Sequence, residues 1–194
     1  SDVYKRQPAI RTSSIRDVIA IKEETGLPVI GLVKIQYPGY EGYITPTMKE
    51  VDDLVAAGSD VVALDCTLRK RGDGITVNEF IAQIKEKYPD IILMADISNY
   101  EEGINAWKCG VDIVGTTMSG YTDYTSKKDE PDYELMERLA KDTDIPVIGE
   151  GKIHYPDQAV KALQTGVWAI VVGGAITRPL EIAQRFQKAI EAGK

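Results

Sequence analysis

The stretches "PVIGLVKIQYP" at 28–38 and "PVIGEGKIHYP" at 146–156 agree at eight of their eleven positions. Each opens on an apolar run and closes on polar letters, the form of a strand tip meeting water. At the fifth position the first copy has Leu32 and the second has Glu150. Runs of the same kind stand at 60–66 (DVVALDC), 91–96 (IILMAD), 111–116 (VDIVGT) and 168–173 (WAIVVG), beside 28–34 and 145–150 in the two copies. None alternates apolar and polar letters, which predicts parallel strands covered on both faces. Amphipathic segments at 46–58, 76–88, 100–109, 132–142, 156–165 and 179–192 separate them and predict helices. Several end in Gly just before the next strand, as in "VAAGSDVVALD" and "AWKCGVDIVG", where a C-cap takes positive φ.

Alternating βα units imply a parallel sheet or a barrel. Four such units lie between the two copies, so in an eight-stranded barrel the copies stand on opposite walls. No GxGxxG follows an early strand, which leaves a doubly wound dinucleotide fold without its fingerprint. The expected fold class is therefore α/β, a (β/α)8 TIM barrel. The front of the chain falls short of that count. A helix at 13–26 follows only a scrap, "PAIR", read as the end of a strand. The expectation is an N-terminally truncated barrel lacking its first strand, its first helix and most of its second strand. Residues 1–7 (SDVYKRQ) fit no element and are read as a non-native segment, leaving 8–194 as one incomplete barrel domain. Two unpaired edges would then make the chain associate and turn over poorly.

Composition narrows the function. The 194 residues are 43% hydrophobic and 27% charged, a soluble globular balance, and no apolar run approaches a membrane span. A net charge of −7 argues against sequence-independent nucleic-acid binding, while leaving room for a small anionic substrate at a local site. Cys66 and Cys109 lack CxxC spacing and read as apolar filler in a reducing, cytoplasmic setting.

In a β/α barrel the chemistry sits at the C-terminal strand ends. The polar letters there are Arg11, Lys34, Asp65, Thr67, Asp96, Thr116, Thr117, Glu150, Lys152, Thr177 and Arg178. "VVGGAITRP" at 171–179 is the phosphate candidate: Gly173 and Gly174 leave backbone N–H groups open to an anion, with a helix start behind them. Gly149 and Gly151 are expected to clear room beside the barrel axis. Glu150, an acid on an apolar strand tip, is expected to carry a raised pKa and serve as general base. Lys34, in the other copy, keeps the parity of Leu32 and would meet the same ligand from the opposite wall. The lone His154 reads as a surface or loop residue, and with no second histidine a metal site is not expected. The loop 119–131, with Tyr121 and Tyr124, is either a lid or a solvated connector.

The stretches "PVIGLVK", "ALDCTLRKR", "LMADIS", "DIVGTTMSGYTDYT", "PVIGEGKI" and "VVGGAITRP" together resemble the bacterial N-acylglucosamine-6-phosphate 2-epimerases, also called N-acetylmannosamine-6-phosphate epimerases. The resemblance covers nearly everything from Arg11 onward. It implies a barrel of the ribulose-phosphate-binding type and a role in sialic-acid breakdown, with no metal or organic cofactor. It also implies a phosphosugar substrate, no nucleic-acid or membrane partner, and a homo-oligomer, a dimer in the family. By the same resemblance Lys34 and Glu150 are catalytic, and Arg11, Asp96 and Arg178 bind substrate. From the residues themselves, Gly151, Gly173 and Gly174 are expected to bind the phosphate. The front departs from the family, whose first strand bears a substrate-contacting glutamine. Other readings within the same barrel type are a phosphosugar isomerase, an aldolase, or a non-catalytic phosphosugar-binding barrel.

Overall fold

A computed structural model of the protein describes residues 8–127 and 129–193. The segment 1–7, expected to be non-native, lies outside the described residues. Seven strands follow one another in chain order: β1 (Ile10–Ser13), β2 (Val29–Leu32), β3 (Val61–Asp65), β4 (Ile92–Asp96), β5 (Ile113–Gly115), β6 (Val147–Glu150) and β7 (Ala169–Val171). Every neighbouring pair is parallel, and the sheet order is β1 through β7 without interruption. The helices between them are α1 (Ile15–Thr25), α2 (Met48–Ala56), α3 (Val77–Lys87), α4 (Tyr100–Lys108), α5 (Tyr133–Asp142) and α6 (Pro156–Gln164). A four-residue α7 (Gly174–Thr177) and the longer α8 (Pro179–Ala192) follow β7.

The helix starts follow capping chemistry that can be read locally. Ser14, Thr76 and Asn99 each accept a hydrogen bond from a backbone N–H in the first turn. The scrap read as a strand end becomes a full strand, shifted to Ile10–Ser13. Its register against β2, Ile10↔Val29 through Ser13↔Leu32, is what extends it past Arg11. The strand expectations at 111–116 and 168–173 shorten to three residues each, Ile113–Gly115 and Ala169–Val171, because pairing with their neighbours stops there.

Side-chain contacts across the sheet prove that it curls. In a flat sheet β1 and β6 would lie five spacings, roughly 24 Å, apart. Yet Arg11 Nε on β1 stands 3.2 Å from Glu150 Oε2 on β6. The same side chain donates from Nη2 to Asp96 Oδ2 on β4 at 2.6 Å. The sheet is thus a nearly closed β/α barrel; among the described residues β1 and β7 do not pair with each other.

Parity along the strands splits the apolar residues into two cores. Val29, Val62, Leu93, Val114 and Val147 face outward, where Phe80, Ile81 and Ile84 of α3 and Leu139 of α5 cover them. Burying each of those large side chains contributes about 1.5–3 kcal/mol. Ile30, Leu32, Ala63, Met94 and Ile148 face inward and pack against one another, with Ile44 and Met118 closing the top. The two thiols are free, with Cys66 in the outer core and its pKa pushed up by burial. Helix α8 has no buried residue, and Trp168, Leu180, Phe186 and Ile190 stand exposed along that side. Among the described residues no helix is long and apolar enough to cross a membrane.

Candidate active site

The inward parity that gives the barrel its inner core also aims Arg11, Asp96 and Glu150 into it, at the C-terminal end. A single guanidinium sits between two carboxyls there. Arg11 donates to Asp96 from one end, contacts Glu150 through Nε, and points Nη1 at Met94 Sδ 3.4 Å away. Its side chain is only 7% exposed, and Asp96 is fully buried. Thr117, two residues beyond the end of β5, bridges the carboxyls: its Oγ1 lies 2.7 Å from Asp96 Oδ1 and 3.2 Å from Glu150 Oε2. Neighbouring Thr116 pins the β6 backbone, donating to the Glu150 carbonyl at 2.8 Å and accepting from its N–H at 3.1 Å.

Burial pushes both carboxyls toward their neutral forms. For Glu150 burial is the largest influence, Arg11 opposes it, and the negative Asp96 adds to it; its pKa ends above the ordinary value. Asp96 is raised for the same first reason, against the pull of Arg11. Burial works against the Arg11 charge as well, but Asp96 and Glu150 outweigh it. One buried cation therefore faces two acids that cannot both ionise cheaply.

Above this cluster opens a cavity of about 360 Å³, within the range of small-molecule sites. Lys34, Thr117, Glu150, Gly151, Gly173, Gly174 and Arg178 all line it. The structure thus brings both members of the expected acid–base pair and all the expected phosphate residues to one opening. Arg11 and Asp96 are outside that lining and connect to it through Glu150 and Thr117. The chain leaves the sheet after Leu32, so Lys34 stands exposed at the cavity, held by an antiparallel bridge to Ile44. Arg178 is engaged by Glu181 at 2.7 Å, and Glu181 also lines the cavity.

Three features escaped the sequence reading. Gly149 faces outward rather than to the axis: a Cβ there would meet Met136 Sδ of α5 at 3.1 Å. Gly151 does border the cavity, and its φ of 103° is what favours glycine. Lys152 follows it at φ 59°, a left-handed conformation in a non-glycine residue. That turn brings Lys152 Nζ to 5.2 Å from the Tyr121 ring centre, at the cavity wall. His154 also lines the cavity, half-buried, with its Nδ1 buried and unpartnered among the described residues. Its pKa is lowered by burial, then by Arg185. In the loop 119–131, Tyr121 lines the cavity, while Tyr124 donates its hydroxyl to the buried Glu102. The nearest signal for Lys152 was its alignment with Lys34 in the opening repeat.

Comparison with known proteins gives one consistent answer. The family described as "Putative N-acetylmannosamine-6-phosphate epimerase" matches residues 5–192. A relative in Caldanaerobacter subterraneus, named "Putative N-acetylmannosamine-6-phosphate 2-epimerase", is 56% identical over 178 residues, covering 92% of this chain and 75% of its own. A relative of the same name in Clostridioides difficile is 51% identical over 182 residues, covering 94% and 81%. The solved N-acetylmannosamine-6-phosphate 2-epimerase from Clostridium perfringens superposes with a TM-score of 0.91 at 46% identity, over 97% of this chain and 81% of that one. A thiamine phosphate pyrophosphorylase from Pyrococcus furiosus, with a TM-score of 0.57 at 21% identity over 87% and 74%, shares the fold alone.

Proposed function

The chain belongs to the N-acetylmannosamine-6-phosphate epimerase family, and from that premise we propose that it interconverts N-acetylmannosamine 6-phosphate and N-acetylglucosamine 6-phosphate. C2 of the open-chain sugar is α to the C1 aldehyde, so its proton can leave to give an enolate. Return of a proton to the opposite face inverts the centre. The oxidation state does not change, so the step needs only a proton taken from one face of C2 and one returned to the other.

The observation that carries this reading is Glu150: a largely buried acid with a raised pKa, facing a cavity that Lys34 lines as well. In one direction ionised Glu150 takes the C2 proton and the Lys34 ammonium returns one. The step leaves a neutral acid and a neutral amine, the state required for reverse turnover. We assign the 6-phosphate to the backbone of Gly151, Gly173 and Gly174 with Arg178. Arg11 and Asp96 are assigned to polar groups of the sugar beside C2, reached through the Glu150 end of the cluster. The free thiols fit a reducing cytoplasm. The exposed apolar side of α8, with Phe186 and Ile190, fits burial in a homodimer.

Proton NMR of N-acetylmannosamine 6-phosphate in deuterated buffer tests the reading. Appearance of the gluco epimer carrying deuterium at C2 is expected, and an unchanged spectrum would overturn it. If Lys34→Ala kept near-normal turnover while Glu150→Ala lost it, a one-base route would replace the two-base scheme.

A further inference from the structure

We propose that Thr117 is a positioning residue that decides which of the two buried carboxyls carries their shared proton, assigning it to Glu150. The proposal rests on the epimerase reading for its consequence, but on geometry for its origin. A threonine hydroxyl has one hydrogen and two lone pairs. Thr117 Oγ1 lies between Asp96 Oδ1 at 2.7 Å and Glu150 Oε2 at 3.2 Å, and it cannot donate to both. The shorter contact takes the hydrogen. Asp96, which also receives the Arg11 Nη2 donor at 2.6 Å, is then the ionised partner. The longer contact remains for Glu150, whose Oε2 fills it best as a neutral acid donating to the Thr117 lone pair.

The Arg11 contacts agree with this division, while Lys34 works against it. Arg11 on β1 gives Asp96 its direct guanidinium bond, and reaches Glu150 only at 3.2 Å. Asp65 on β3, the next carboxylate along the rim, is engaged by Arg69 at 2.7 Å and by Thr67. Lys34, beyond β2, acts on Glu150 electrostatically and favours its ionised form. Burial dominates for both acids, so the cluster holds a proton at pH values where exposed carboxyls have lost theirs. Thr117 places that proton on the acid that lines the cavity. Without its hydroxyl, the ionised pair loses a donor and releases the last proton only at higher pH.

Thr117→Val and Thr117→Ser test the assignment, with steady-state kinetics across pH and a carboxyl titration of the free protein by 13C NMR. Thr117→Val should lower kcat about ten- to a hundredfold, the worth of one hydrogen bond to a charged group, with KM changed far less. The acid limb of its pH profile should move upward, and the titration of the carboxyl pair should move with it. Thr117→Ser should restore both. A valine variant with an unshifted limb and titration would overturn the proposal, as would a serine variant as impaired as valine. The NMR titration needs no turnover. Shifted titrations in a chain that epimerises nothing would therefore sink the epimerase reading and leave the proton assignment standing.

Discussion

Strands β2 and β6 begin with the same letters and bury them in the same way. Val29 and Val147 face the helices, and Ile30 and Ile148 face the barrel interior. At the next inward position they part. Leu32 is sealed into the inner core, whereas the Glu150 side chain remains 17% exposed beside the cavity. The lysines that follow part as well. Lys34 is fixed by an antiparallel bridge to Ile44, while Lys152 turns back through a left-handed residue over Tyr121. The walls are built alike, and they differ at one inward letter, which on one of them meets the cross-barrel Arg11.

The sharpest way to break this contrast is to remove the odd letter. Glu150→Gln should lower kcat by about 10²–10⁴-fold, the range for a lost general acid–base. It should also raise Tm at neutral pH. Burial holds the folded pKa of Glu150 above its unfolded value, so the stability from the neutral acid is complete below the unfolded value. It is lost as pH rises through the folded one, and glutamine, which cannot ionise, escapes that loss. Melting curves of both proteins between pH 4 and 8 would show the gap opening with pH; parallel curves would contradict it.

The lysines give the next effect. Lys34→Ala should lose about a hundredfold or more in kcat. Lys152→Ala should leave kcat within a few-fold and raise KM roughly tenfold, as for one lost contact between a cation and an anionic substrate. Equal losses of kcat in the two variants would erase the difference between the copies.

The smallest effect tests the shared scaffold. A Cβ on Gly31 would sit 2.2 Å from Ser59 Oγ and 3.0 Å from Leu54 Cδ2, so Gly31→Ala should cost about 1–3 kcal/mol. A Cβ on Gly149 is crowded by the flexible thioether of Met136, at 3.1 Å and 3.3 Å, with Ile170 Cγ2 at an ordinary 3.5 Å, and should cost less than about 1 kcal/mol. Urea denaturation of the two variants reads the difference, and equal costs would mean that the helix faces are packed alike.

The strands and long helices were legible because their signals are local: apolar runs for strands covered on both faces, and glycines such as Gly58 and Gly110 where helices end. Glu150 was legible because an acid interrupts an apolar strand tip. The missed features depend on distant residues. The true extent of β1 is set by pairing with β2, and nothing in "PAIR" announces it. The outward face of Gly149 becomes visible only once Met136 of α5 is placed against it. Thr117 stood among the strand-end polar letters, but its bridging role needs Asp96 and Glu150 from two other strands. Glu181 is three residues from Arg178, yet that the pair borders the cavity depends on how α7 and α8 leave β7.

The Arg11 cluster also bears on the order in which the barrel assembles. Arg11 lies 85 residues from Asp96 and farther still from Glu150, so its partners reach it only after long loops have closed. Until β4 and β6 are in place, docking β1 would bury a guanidinium with nothing to neutralise it. The strand that leaves the ribosome first among the seven is therefore the one whose docking waits longest. Pulsed hydrogen exchange during refolding would register this as protection of β1 lagging behind β3 and β4.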